Sequence, residues 1–571
     1  MLNRCFYPVL SGLIILLFVL GLFRYYSDTE PYPTGDGIEY LLTTEAWVNH
    51  GSPDIRVQDF RTFKKAFIAH QSWSSNYKAA AFDEVERFLT DKKKLEFGGF
   101  YRTKHHKVYG YHFVFYSLIN VPCRMLCSWF DLHPILGFIY TNIMLWMLFF
   151  AIIFLQKSIT WQHQLYVFLG IFISGAFYYT TWTHPEMLTV ILLSLGLLCL
   201  NQEKYHGALL FMALATLQNQ PLIFLLLWSV FYIWKAHRFA LRPMFVFAGY
   251  GIIPFIPAIY FYSLFGTTNL IKDAGFLAVE NISFNRVFGF YFDLNQGMIL
   301  SLGLLLIFYL IMLIYRAATI IKHRIFNAWD LMPLVVLCMA LLVCAMSNWN
   351  HGMAIVNRYV VWIQVPIIFH LWQLCLSAQH KKHDSLWVLG LSSQVYLLTI
   401  HLPYNRFDWS NLQHMPLAKW MLDKHPSWYN PDPQIFIART SQQFDFSRHS
   451  SPVFYFNDSN KLTKIAVHIK NVDTLAYFGY PPNKSLNGIT VRNGKDAWLY
   501  INDFSKQSAF SSKKVMGLIK AEEILRILKE MANNPQWMEQ LKQKALQNGL
   551  SLDAQMRKDA EFVFNERHHL D

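Results

Sequence analysis

Acidic residues set among aromatic and apolar neighbours are the first places to look for chemistry in this chain. The stretch Tyr32-Pro-Thr-Gly-Asp36-Gly-Ile-Glu39-Tyr40 holds two of them and leads into Leu41-Leu-Thr-Thr-Glu-Ala-Trp47. A carboxylate beside a hydroxyl can take its proton. The same Asp-x-x-Glu spacing is also a capping box at a helix start. The two roles are compatible, because a capping carboxylate can still face solvent. Thr183-His184-Pro185-Glu186 supplies a further acid. Directly after Pro185, it also suits the positive end of a helix dipole. Asn357-Arg358-Tyr359 places a guanidinium where an apolar run begins; there it can hold an anion in a fork or snorkel to headgroups. Arg102-Thr-Lys104-His-His-Lys107-Val-Tyr109-Gly-Tyr-His112 joins cations to rings. Its plain reading is a solvated loop ending in an interfacial histidine.

Composition says what kind of scaffold must hold these groups. The chain has 571 residues, of which 54% are hydrophobic, 17% aromatic and 15% charged. Soluble chains carry roughly a quarter charged residues, so a disordered chain, a nucleic-acid module and an ordinary cytosolic enzyme are excluded. A mean hydropathy of +0.22 fits a polytopic membrane part diluted by a soluble part. Part of the net charge of +13 belongs in short cytoplasmic loops, so a nucleic-acid surface is not the first reading of it. The 7 cysteines show no metal spacing and no disulfide framework.

Apolar runs fall at 6–23 and near 135–156, 163–181, 187–201, 206–217, 221–234, 244–264, 298–315, 331–346, 359–377 and 386–402. They predict about eleven crossings. With the N-terminus in the cytoplasm, Lys157, Lys204, Lys235, Arg238, Arg242, Arg316, Lys322, Arg324, Lys381 and Lys382 all fall in cytoplasmic loops, as the positive-inside rule requires. The run 111–126 would reverse every later loop if it crossed, so it reads as a helix lying in the interface. Outside then lie a large first loop, 26–132, and the tail. The fold class is thus a polytopic α-helical membrane protein with interfacial helices in its first outer loop and a soluble α+β outer domain at its C-terminus. The division is 1–402 membrane domain, 403–516 strand-rich domain and 517–571 helical segment. Within the tail, 433–438 and 464–470 read as strands, and 517–567 as three short helices.

A first crossing followed by Gly35-Asp36-Gly-Ile-Glu39-Tyr-Leu-Leu42 and a large outer loop resembles the GT-C class of membrane glycosyltransferases, nearest the protein O-mannosyltransferase and lipid A aminoarabinose transferase branch. Lys107-Val-Tyr109-Gly-Tyr111-His112, Thr183-His184-Pro185-Glu186, Asp293-Leu-Asn-Gln-Gly297 and Trp349-Asn-His-Gly352 with Arg358-Tyr359 fit its motifs in order. The adjacent Asp-Glu pair of the protein mannosyltransferases is Asp36-Gly37 here, so the resemblance is to the wider class. It implies transfer of a sugar from a polyprenyl-phosphate lipid to a hydroxyl of a glycan, lipid or protein acceptor, with inversion, on the outer face of a bacterial inner membrane. Asp36 would be the base, with Glu186 as second acid. Arg358 would hold the donor phosphate, with Lys107, Lys104 and Arg102 as further cations. Glu39, Tyr109, His112 and His184 would contact substrate. Trp47, Trp182 and Trp349 can stack on sugar faces or belong to the interfacial belt. Asp36, Glu186 and His184 have donor atoms for a divalent metal, but the resembled branch does not generally need one, so no cofactor is expected. The competing readings are an O-antigen polymerase or ligase and a transporter or flippase. Transporters place polar groups at the bilayer midplane, whereas these cluster at one surface.

Overall fold

A computed structural model of the protein describes residues 36–70, 79–156, 159–240, 247–347, 356–377, 383–402, 412–441, 452–459, 461–478, 488–493, 496–502 and 527–568, with isolated residues between 17 and 24 and residue 524. The run 6–23, the Trp349-to-Gly352 motif and Lys381-Lys382 lie outside these or nearly so. Two units divide the chain. One is Met1–Leu417 with Gln434–Phe444 and Arg492–Lys495; the other is Ala418–Pro433 with Asp445–Val491 and Asp496–Asp571.

The first unit opens with helices α1 (Gly37–His50), α2 (Val57–Ala69) and α3 (Ala79–Thr90). An antiparallel ribbon follows, β1 (Glu96–Phe97), β2 (Phe100–Arg102) and β3 (Val108–Gly110). Helix α4 (Phe115–Trp129) then packs on α1 through Tyr116, Ser117 and Arg124, and it also buries Asn120, Cys123 and Cys127. Its other side shows Leu118, Met125, Leu126 and Trp129, all exposed. A helix that hides polar groups and presents apolar ones suits the boundary of a bilayer. Glu45 and Arg124 form a buried two-point ion pair between α1 and α4, Oε2 lying 3.2 Å from Nη2. Close approach to the next helix depends on Gly137, where a Cβ would stand 3.0 Å from the Arg124 Cα.

The apolar helices are α5 (Leu136–Phe154), α6 (Trp161–Phe172), α7 (Glu186–Asn201), α8 (Tyr205–Thr216), α9 (Ile223–Ala236), α10 (Ile256–Phe265), α11 (Phe284–Phe292), α12 (Met298–Leu302), α13 (Leu304–His323), α14 (Met332–Cys344), α15 (Arg358–Ser377) and α16 (His383–His401). Three helices among the described residues are long and apolar enough to cross a membrane: Leu136–Phe154, Leu304–His323 and Arg358–Leu376. Eleven helices of spanning length are not found among the described residues. The other apolar runs are shorter or broken. Run 163–181 is α6 followed by a 3-10 segment, Gly175–Thr181. Run 298–315 is split at Gly303, whose φ of 55° suits glycine. The Arg358–Leu376 span is 89% buried and Leu304–His323 only 17%, so the former is the unit's centre and the latter faces outward with Ile307, Ile311, Ile314 and Tyr315. Such an apolar exterior is the surface expected against lipid.

Residues 433–438, expected as a strand, belong to a helix, α17 (Pro433–Ser441). Ile435, Phe436, Ile437 and Ala438 are all buried, and an apolar run without periodicity does not distinguish strand from helix. Pro433 at the first helical position, with φ already set, favours the helix.

In the second unit, β4 (Val453–Phe456), β5 (Leu462–His468), β6 (Gly488–Asn493) and β7 (Asp496–Ile501) form a sheet of order β4-β5-β7-β6. Its core is Phe454, Leu462, Ile465, Val467, Leu475 and Ile501. Lys464 is fully buried, with its ammonium on the Pro426 carbonyl, Asn430 Oδ1 and Asn502 Oδ1. Three acceptors match its three N–H groups, while burial pushes its pKa down to about 7. Helices α18 (Pro535–Asn548) and α19 (Leu552–His568) bury Leu541 and Ala560 against Ile527 and Met531.

Candidate functional site

The site gathers at the N-terminal ends of α1, α7 and α15 and at the foot of the ribbon. Asp36 occupies the cap position of α1 but makes no side-chain capping bond. Its carboxylate turns away from the helix. Oδ1 accepts from the Tyr111 hydroxyl at 3.0 Å and Oδ2 from Arg358 Nη1 at 3.3 Å. His112 Nε2 stands 3.8 Å from the same Oδ2. The capping-box reading therefore fails at both ends, because Glu39 is occupied elsewhere.

Glu39 is buried beneath the ribbon. Its Oε2 accepts the Tyr111 main-chain N–H at 2.6 Å, and its Oε1 lies 2.5 Å from His112 Nδ1. Strand β3 can lie this close because position 110 is glycine: a Cβ there would fall 2.6 Å from the Glu39 Cγ. The His112 ring stacks on Tyr40, with centroids 5.2 Å apart. Glu39 thus positions His112 and Tyr111 rather than offering itself to a ligand.

Arg358 begins α15, the buried central helix. It reaches Asp36, His184 Nδ1 at 3.4 Å and the Tyr359 hydroxyl at 3.1 Å, and its Nε lies 3.9 Å from Glu186 Oε1. Glu186 and His184 enter from the turn before α7. That turn is held by Asn142 Nδ2, which donates to the Thr180 and Trp182 carbonyls at 2.9 and 3.0 Å. The 3-10 segment leading into it is tied down by a buried Ser301, Gln364 and Ser174 network. Asp36, Glu186, Arg358, His184 and His112 are thereby brought together from four separate stretches.

The remaining sequence candidates stand apart. Arg102 is committed to main-chain carbonyls, those of Phe88 at 2.6 Å, Lys94 at 3.1 Å and Asp91 at 3.2 Å. It closes the C-terminal end of α3, a usual place for a cation, and is not free to hold a phosphate. Lys104 and Lys107 are exposed on the β2–β3 turn. The Tyr109 ring packs on Tyr260 and Phe265. Tyr111, Tyr40 and Tyr359 line the site; they stand in the quoted motifs but were given no role from sequence. Their signal is position, each being next to a named charged residue. Among the described residues no group of three or more His, Cys, Asp or Glu is arranged to hold a metal ion.

Two shifts of the same sign mark this corner. Burial raises the Glu39 pKa above its ordinary 4.5, more than His112 lowers it. Burial would depress His112, but the Glu39 and Asp36 carboxylates outweigh it and hold the ring above 6.5. Tyr111 is raised well above 10.0 by burial and by both carboxylates, so it remains a donor to Asp36. Both members of the Glu39–His112 pair bind protons more readily folded than unfolded, so their contribution to stability must fall as pH rises. The His112 part is complete below about 6.5 and is lost through its raised folded value. The apparent Tm of wild type should therefore drop more steeply as pH rises above about 6.5 than that of His112→Gln. Parallel curves would refute the pair's assignment. Comparison with protein-family models, with curated proteins and with solved structures finds no match to this chain.

Proposed function

We propose that the protein is a membrane glycosyltransferase of the GT-C type, moving a sugar from a polyprenyl-phosphate donor to an acceptor hydroxyl at the outer membrane face. The observation that carries this reading is the Asp36 carboxylate, released from helix capping and set 3.3 Å from Arg358, with Glu186 beyond it. Base and anion holder stand side by side, as displacement at a phosphate-linked carbon needs. The acceptor oxygen bonds to the anomeric carbon as its proton passes to Asp36. The bond from that carbon to the phosphate oxygen breaks from the opposite side, inverting the centre, and Arg358 takes up the charge of the departing phosphate. Tyr111 and His112 hold Asp36 in place.

The same proposal includes about eleven crossings, the N-terminus in the cytoplasm and the tail in the periplasm of a bacterial inner membrane. The 3-10 segment Gly175–Thr181 adds to the length that α6 lacks alone, and the exposed apolar face of α4 suits an interfacial helix. The test is glycolipid composition by mass spectrometry in cells with wild type, a deletion and Asp36→Asn. The asparagine keeps the shape but cannot accept the proton. Deletion and Asp36→Asn should lose the same sugar from one acceptor, with Asp36→Asn present at wild-type protein levels. A normal glycan profile from Asp36→Asn would sink the base assignment.

A further inference from the structure

Gln296 is 1% exposed, yet neither Oε1 nor Nε2 of its side chain has a hydrogen-bond partner. Buried amides are nearly always paired, and an unmet one costs stability. Its backbone, by contrast, is fully used. The N–H donates to Asp293 Oδ1 at 2.9 Å, and the carbonyl accepts from the N–H of Asn357, the residue before Arg358, at 2.9 Å. The turn is tight enough to require glycine at 297, since a Cβ there would meet the Asp293 nitrogen at 2.4 Å. Other buried atoms share this condition: Glu186 Oε2 and the Oγ1 of Thr183, next to His184, which are acceptors, and Arg358 Nε, a donor.

The chemistry of this set is selective. A carboxylate oxygen needs a donor. An amide with both ends unmet needs a partner that donates and accepts. A phosphate diester only accepts and a prenyl chain does neither, whereas a pair of neighbouring hydroxyls does both. We infer that Gln296 is a specificity-determining residue that reads two adjacent hydroxyls of the transferred sugar, with Glu186 Oε2 and Thr183 Oγ1 taking further hydroxyl contacts. This rests on the transferase reading for the identity of the hydroxyl-bearing group.

The test uses full-length protein in nanodiscs and two kinds of probe: undecaprenyl phosphate alone, and a panel of undecaprenyl-phosphate-linked hexoses and pentoses that carry a vicinal diol. Wild type should bind one sugar-bearing lipid at least about tenfold more tightly than the sugarless one, as expected of a site built to meet hydroxyls. Gln296→Leu and the near-isosteric Gln296→Met should bring that preference within about twofold while leaving undecaprenyl phosphate binding unchanged. Their unliganded Tm should be equal to wild type or higher, because the amide they remove is unpaired. A sugar preference that survives both variants, or unliganded Tm values that fall by several degrees, would overturn the inference alone. Failure of wild type to bind either kind of lipid would overturn the transferase reading as well.

Discussion

Under the proposed transferase function, Arg358→Gln should lower sugar transfer by about 100- to 1,000-fold, the usual loss when one electrostatic stabiliser of a transition state is removed. Its guanidinium contacts Asp36, His184 and Tyr359 and lies beside Glu186, with its side chain 10% exposed. Glutamine restores some hydrogen bonding but no charge, and it leaves two carboxylates facing each other. Arg358→Lys is the informative companion. It returns the charge as a point, without the planar fork that spans several partners at once. It should recover expression and thermal stability while leaving transfer at least about tenfold below wild type. The measurement is single-turnover transfer by protein in nanodiscs, using the donor identified by the glycolipid comparison. Activity of Arg358→Gln within threefold of wild type would remove this residue from the mechanism.

Arg124→Met should destabilise the protein by about 3–5 kcal/mol, because it strands a buried carboxylate. The side chains of Glu45 and Arg124 are 1% and 5% exposed and meet at two points. Burial raises the Glu45 pKa despite Arg124, so the carboxylate is poorly solvated there. Replacing both partners, as Glu45→Leu with Arg124→Met, should recover most of the loss, since an apolar pair of similar size removes the desolvation cost along with the attraction. A double-mutant cycle on apparent Tm checks this. A loss below 1 kcal/mol for Arg124→Met would mean that Glu45 finds another donor. The effect on transfer should follow stability alone, because neither residue touches the site.

Much of the site was legible because polar groups in an apolar chain have few reasons to be there. Asp36, Glu186 and Arg358 were picked out from three segments as acids and a base at the ends of apolar runs, and they do meet. What each does was less legible. Asp36 has the spacing of a cap, yet contacts 75 and 322 residues away engage its carboxylate instead. Arg102 and Lys107 are equal as sequence letters. The fold alone makes one a clamp on the end of a helix and leaves the other exposed on a turn. The elements show the same division. Apolar runs marked most helices, but the break at Gly303 depends on a glycine whose Cβ would press against Ser393 at 2.6 Å. Such contacts leave no mark in hydropathy. The run 433–438 was read as a strand and is a helix: without alternation, burial on all sides suits either kind of element.

The narrow ribbon beneath the site has one more implication, for length rather than for composition. Residues alternate faces along a strand, so a shift of one position exchanges them all. In β3 that shift would bring the Tyr109 ring to the point where Gly110 leaves room only for a hydrogen against Glu39. The turn from Thr103 to Lys107 is closed by bonds of 2.8 and 2.9 Å and includes His106 at a φ of 60°, so it has little slack to absorb an added residue. Chains that share this site should therefore vary freely in the letters of that turn but hardly at all in their count, with the spacing from Arg102 to Tyr111 acting as a fixed ruler for the carboxylate below.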